Sequence, residues 1–127
     1  MSFCVVYYEM EKGIAPAEEF ILAQDSKMQA KIFKMLELLE EYGNLLRLPY
    51  SEHLDDGIFE LRTKLGMNIT RVLYFFVQGN RIVLTNGFVK KTQKTPPDEI
   101  VLAKKYRDDY YRQRGGCSDE KFSYDFA

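Results

Sequence analysis

Apolar residues run, recur and alternate along this chain in three ways, and each predicts a different element. Residues 3–8, FCVVYY, are a β-branched and aromatic run that reads as an opening strand. Pro16 then opens a short helix, with Glu18 and Glu19 in the first turn, where the helix dipole favours carboxylates, and Phe20 as its main apolar contact. Ser26 with Gln29 makes a capping-box pattern for a second helix. Its apolar positions Met28, Ile32, Met35, Leu36, Leu39 and Tyr42 follow the 3.6-residue period, and Gly43 suits its stop. Such a stripe is far more often a core face than a ligand site.

From Asn44 to Gly57 the chain turns polar, with Pro49 and Asp55-Asp56-Gly57 as breakers. Gly57 to Lys64 alternates, sending Phe59, Leu61 and Thr63 to one face and Ile58, Glu60, Arg62 and Lys64 to the other, wetter one. Gly66 and Asn68 supply a turn. Ile69 to Val77 is apolar on both parities, the mark of a central strand covered on both sides, except where Arg71 emerges near its start. Gly79-Asn80 signals a hairpin, and Arg81 to Lys91 returns as a further strand. Thr95-Pro96-Pro97-Asp98 starts a last helix, lined by Ile100, Ala103, Tyr106 and Tyr110 until Gly115-Gly116 stops it.

The order β-α-α-β-β-β-α predicts an α+β fold. A small, twisted, mostly antiparallel sheet carries the N-terminal helical hairpin on one face, with a C-terminal helix, and function is expected on the other face. Residues 1–114 read as a single domain and 115–127 as a flexible tail.

Composition adds mainly exclusions. At 127 residues and 46% hydrophobic, one core is large enough without staples. Cys4 and Cys117 make no CxxC pair, and His53 is the only histidine, so neither a disulfide framework nor a zinc site is expected. No metal and no cofactor are implied. No apolar run approaches the ~20 residues of a membrane span, and the N-terminal run is too short for a signal peptide, so a cytoplasmic protein with no membrane partner is expected.

Charge changes the picture more. The net charge is −1, but residues 1–56 hold 5 Lys and Arg against 11 Asp and Glu, whereas residues 57–114 hold 12 against 5. The second half therefore carries a positive field suited to polyanions. Arg62, Arg71 and the Lys90-Lys91 pair fall on or just after successive strands, and cations so arranged suggest a phosphate grip. The bland alternative is an ion pair between these arginines and Glu60. Tyr74, Tyr106, Tyr110 and Tyr111 are expected to pack rather than to stack on bases. There is no GKS/T loop, no GxSxG elbow and no acidic metal cluster, which disfavours nucleotide hydrolysis, esterase and metal-nuclease chemistry.

The run HLDDGIFELR, then TRVLYFF, then GFVKKTQKTPPDEI, resembles the phage-derived, HigB-like branch of the RelE/HigB toxin superfamily, the toxins of type II toxin–antitoxin pairs. The resemblance implies a ribosome-dependent mRNA endonuclease that inhibits translation and is silenced by a HigA-like helix-turn-helix antitoxin. Its partners would be mRNA on the ribosome and that antitoxin.

Metal-free RNA cleavage by 2′-OH attack needs a base, cations on the scissile phosphate and a donor to the leaving oxygen. Arg62 and Arg71, whose forks match phosphate, and Lys90 are the catalytic candidates, Arg71 falling at the family's central-strand arginine. Lys91, Lys94 and His53 are candidates for substrate contact. The base and acid stay unassigned. The alternative is a non-catalytic protein-binding module of the same fold, similar to gyrase inhibitors or a degenerate phage protein.

Overall fold

The computed structural model describes residues 2–91 and 93–114, and the expected tail at 115–127, with Cys117, lies outside them. The described residues are α+β, with five strands in one mixed sheet and three helices. β1 is Cys4–Tyr7, α1 Pro16–Leu22, α2 Ser26–Tyr42, β2 Ser51–Asp55, β3 Ile58–Leu65, β4 Asn68–Val77, β5 Arg81–Val89 and α3 Pro97–Arg114, with one 3-10 turn at Gly43–Leu45. The sheet order is β1-β5-β4-β3-β2, parallel only between β1 and β5. No helix is long and apolar enough to cross a membrane among the described residues.

The two parities of β4 feed two cores. Val72 and Tyr74 join Leu61, Ile82 and Leu84 beneath Ala17 and Ile21 of α1 and Met28, Ile32, Met35, Leu36 and Leu39 of α2. Leu73, Phe75 and Val77 join Ile58 and Val83 against Ala103 and Tyr110 of α3. Each face of the central strand is thus buried by different helices, which is why its sequence shows no alternation.

Two local expectations are corrected. The cap of α2 is Asp25, not Ser26: its Oδ1 accepts from the Met28 amide at 2.8 Å, while Gln29 donates from its side chain to the carbonyls of Leu22 and Gln24. The segment read as polar breakers contains a whole strand, β2. Asp56 and Gly57, both at positive φ (48° and 78°), form the two-residue turn of a β2–β3 hairpin.

A register shift in the β4–β5 ladder decides the outer half of the sheet. Val72 pairs with Gly87 but Tyr74 pairs with Leu84, so β5 carries one extra residue at Thr85-Asn86. The bulge reverses the parity of the residues after it. Gly87 turns toward α1, where an added Cβ would overlap the Phe20 ring, and Phe88 turns to the α3 side opposite Arg71. Gly87→Ala is therefore expected to destabilise the protein by about 1–3 kcal/mol through overpacking, read as a lower urea midpoint at unchanged m-value. An unchanged midpoint would mean that α1 is free to shift.

Candidate functional site

The expected site residues other than His53 gather at the end of β3, β4 and β5 beside the β5–α3 loop. Arg62 pairs with Arg71, which pairs with Phe88; one step outward Lys64 pairs with Ile69, whose carbonyl accepts the Lys90 amide at 2.8 Å. Strand alternation and the bulge together put Arg62, Lys64, Arg71 and Lys90 on the α3 side of the sheet. Lys91, the next residue, is exposed, and it lines a shallow hollow with Ile69, Lys90 and Gln93. Lys94 is exposed in the loop before α3.

Arg71 is not an open phosphate fork in this structure. It is 2% exposed. Its Nη1 donates to Glu60 Oε1 at 3.1 Å and to Thr95 Oγ1 at 2.7 Å, and its Nη2 donates to the Gln93 carbonyl at 3.2 Å. Glu60, which alternation alone assigns to the wetter face, is fully buried between Arg71, Arg62 and Thr95. A carboxylate with that many donors is stabilised where an isolated charge would not be tolerated. The same contacts fasten the β5–α3 loop to the sheet. Arg71 thus has the structural ion-pair partner that the bland alternative foresaw.

Arg62 is the arginine that solvent reaches. Its side chain is 26% exposed, and its Nε and Nη2 are paired with Glu60 and Glu52, two of the three guanidinium nitrogens. Glu52 lies opposite Glu60 on β2, and its side chain is 42% exposed. The edge of the site is therefore a cationic surface of Arg62, Lys64, Lys90 and Lys91 with one accessible carboxylate set into it.

His53 falls elsewhere. It pairs with Phe59, whose ring belongs to the α1–α2 face, so it is on the opposite side of the sheet from the arginines. Its Nε2 accepts the Gly57 amide at 3.1 Å, closing the β2–β3 turn. The expected substrate contact from His53 does not join the others.

The tyrosines pack. Tyr74 is buried against Phe59 with its hydroxyl on Ser51 Oγ, and burial pushes its pKa up to about 12, which keeps it protonated at neutral pH. Tyr106 stacks on Tyr8 and Tyr110 packs on Phe75. On α3, Lys104 pairs with Asp55 and Arg107 with Asp56, so two of the cations counted in the positive half hold the hairpin turn. The Lys104 contact, by hydrogen bond and charge, holds the Asp55 carboxyl below its ordinary value.

Sequence reasoning named Glu60 only as the partner in a structural ion pair, and missed Thr95 and Lys64 as members of the cluster. Lys64 stands two residues from Arg62 on an alternating strand, which was signal enough. Glu60 also shared Arg62's parity, but its burial depends on Thr95 and the loop, 35 residues away.

No curated protein matches the chain significantly. Residues 19–108, well over half of its length, match the family described as phage derived protein Gp49-like (DUF891), and the chain belongs to that family, part of the RelE/HigB-like toxin superfamily.

Proposed function

We propose that the protein is the toxin of a type II toxin–antitoxin pair and acts as a ribosome-dependent, metal-independent mRNA endonuclease. The observation that carries the reading is the surface of Arg62, Lys64 and Lys90 on one face at one end of the sheet, with exposed Lys91 beside it, in a chain of this family. Cations on a rigid strand platform fix a phosphate with little reorganisation. In the proposed mechanism Lys90 and Arg62 stabilise the charge that builds on the scissile phosphate as the 2′-OH attacks and the P–O5′ bond breaks, leaving a 2′,3′-cyclic phosphate while the departing 5′ oxygen takes its proton from water. Lys64, Lys91 and Lys94 hold neighbouring phosphates. Glu52, the exposed carboxylate paired with Arg62, is placed to take the 2′-OH proton. Arg71 positions rather than touches: through Glu60 it sets the orientation of Arg62, and through Gln93 and Thr95 it sets the loop after Lys91. The antitoxin would be a helix-turn-helix protein that covers the cationic face.

The burial of Arg71 supports a second reading, a non-catalytic module of the same fold that works by protein contact, since an arginine buried against its own carboxylate partner is not open to RNA. Induced expression separates them. The endonuclease reading expects growth arrest with new 5′ ends in cellular mRNA by primer extension. It also expects cleavage on programmed ribosomes to leave 2′,3′-cyclic phosphate or 3′-phosphate ends. Growth arrest over intact transcripts, or 3′-hydroxyl products, would transfer the weight to the second reading or to another chemistry.

A further inference from the structure

The outer face of α2 has an order of charges that its own helix does not explain. Lys27, Lys31 and Lys34 occupy the amino-terminal half, and Glu37 and Glu41 the carboxyl-terminal half, all exposed. These lysines are three of the five Lys and Arg in residues 1–56. Helix dipoles favour the reverse order, acids first and bases last. Neighbours one turn apart repel as well, Lys27 with Lys31 and Glu37 with Glu41, both at i,i+4. None of the five makes an ion pair with another described residue. Among them stands Phe33, 41% exposed, with exposed Ala30 beside it.

A helix face that is basic at one end and acidic at the other is complementary to itself when turned end for end. We propose that two copies of this chain associate through α2 in antiparallel fashion about a twofold axis near Lys34. There Lys27 and Lys31 of one copy meet Glu41 and Glu37 of the other, the two Lys34 side chains flank the axis toward solvent, and the Phe33 rings and Ala30 are covered at the centre. A twofold interface uses the same patch on both partners, so one polarised face is sufficient. A net charge of −1 leaves little repulsion between whole molecules. α2 covers the sheet face opposite the cationic edge, so the pair would leave both Lys90 edges open.

Sedimentation velocity of the full chain over a concentration series tests this, with charge reversal as the discriminating arm. The wild type is expected to dimerise reversibly at low salt, and to weaken at least tenfold near 1 M salt, where the screening length falls to about 3 Å. The variants K27E/K31E/K34E and E37K/E41K should each stay monomeric alone and form a one-to-one heterodimer when mixed. Phe33→Ser should weaken the wild-type dimer without altering the circular dichroism spectrum. A monomeric wild type at all concentrations, or a dimer indifferent to both charge reversals, would overturn the proposal. So would failure of two folded, monomeric variants to pair.

Discussion

Arg71→Ala is expected to lower the free energy of unfolding by about 3–5 kcal/mol, the range for stripping one partner from a buried ion pair. The effect comes from what stays behind. Glu60 is fully buried and would keep Arg62 and Thr95 but lose its closest buried cation, while the Gln93 carbonyl would lose its donor. Replacing both charges by apolar residues of similar size, as in Glu60→Leu with Arg71→Met, should return much of the loss, because no uncompensated charge remains. The coupling between the two sites should be about 2 kcal/mol or more, of the sign and size found for residues in one network. Urea unfolding curves of the two single variants and the double variant measure it. A loss below about 1 kcal/mol in Arg71→Ala, or strict additivity, would show that the buried pair is not what fastens the loop to the sheet.

This result would also change how an Arg71 activity defect is read. From the sequence, a charge at the head of an apolar strand looks expensive unless it has a catalytic task. The structure supplies another task, since Arg71 meets Glu60 across the β3–β4 ladder and Thr95 from the β5–α3 loop. The two halves of that network lie 11 and 24 residues from Arg71, so no local pattern announces them.

What could be read in the chain was whatever depends on near neighbours. The double-sided apolar run of β4, the 3.6 period of α2 and the proline start of α3 arise from positions a few residues apart, and each marks its element correctly. β2 was hidden because it is a short edge strand with charges at Glu52 and Asp55, so it shows no apolar alternation. Its turn was nevertheless visible, since Asp56-Gly57 is a two-residue hairpin signal as strong as Gly79-Asn80. The Thr85-Asn86 bulge was not visible at all. Unbroken alternation from Val83 would have sent Phe88 and Lys90 to the α1–α2 face, away from Arg71. Only the extra residue brings them to the same side as the arginines, so the placement of Lys90, and not Lys91, on the arginine side depends on that shift.

That placement makes Lys90 the sharpest test of the proposed chemistry. Lys90→Ala should slow single-turnover cleavage of mRNA on loaded ribosomes by roughly 10²–10³-fold, comparable to removing one donor from an oxyanion site, while unfolding free energy stays within about 0.5 kcal/mol. The expected stability is near normal because only the Lys90 backbone, through its amide on the Ile69 carbonyl, is tied into the sheet. Lys91→Ala, which the same alternation turns away, should lose no more than about tenfold, mainly through weaker binding. Arg62→Ala should act in the direction of Lys90→Ala, and the double variant should lose less than the product of the two, since both groups face one phosphate. Arg62→Lys should rescue partially, as a point charge replaces the fork. Equal losses in Lys90→Ala and Lys91→Ala would reduce the patch to general electrostatic attraction. Full activity in Lys90→Ala would place the reacting phosphate elsewhere, and the exposed carboxylate of Glu52 with the solvent-facing edge of Arg62 would then be the part of the cluster to test next.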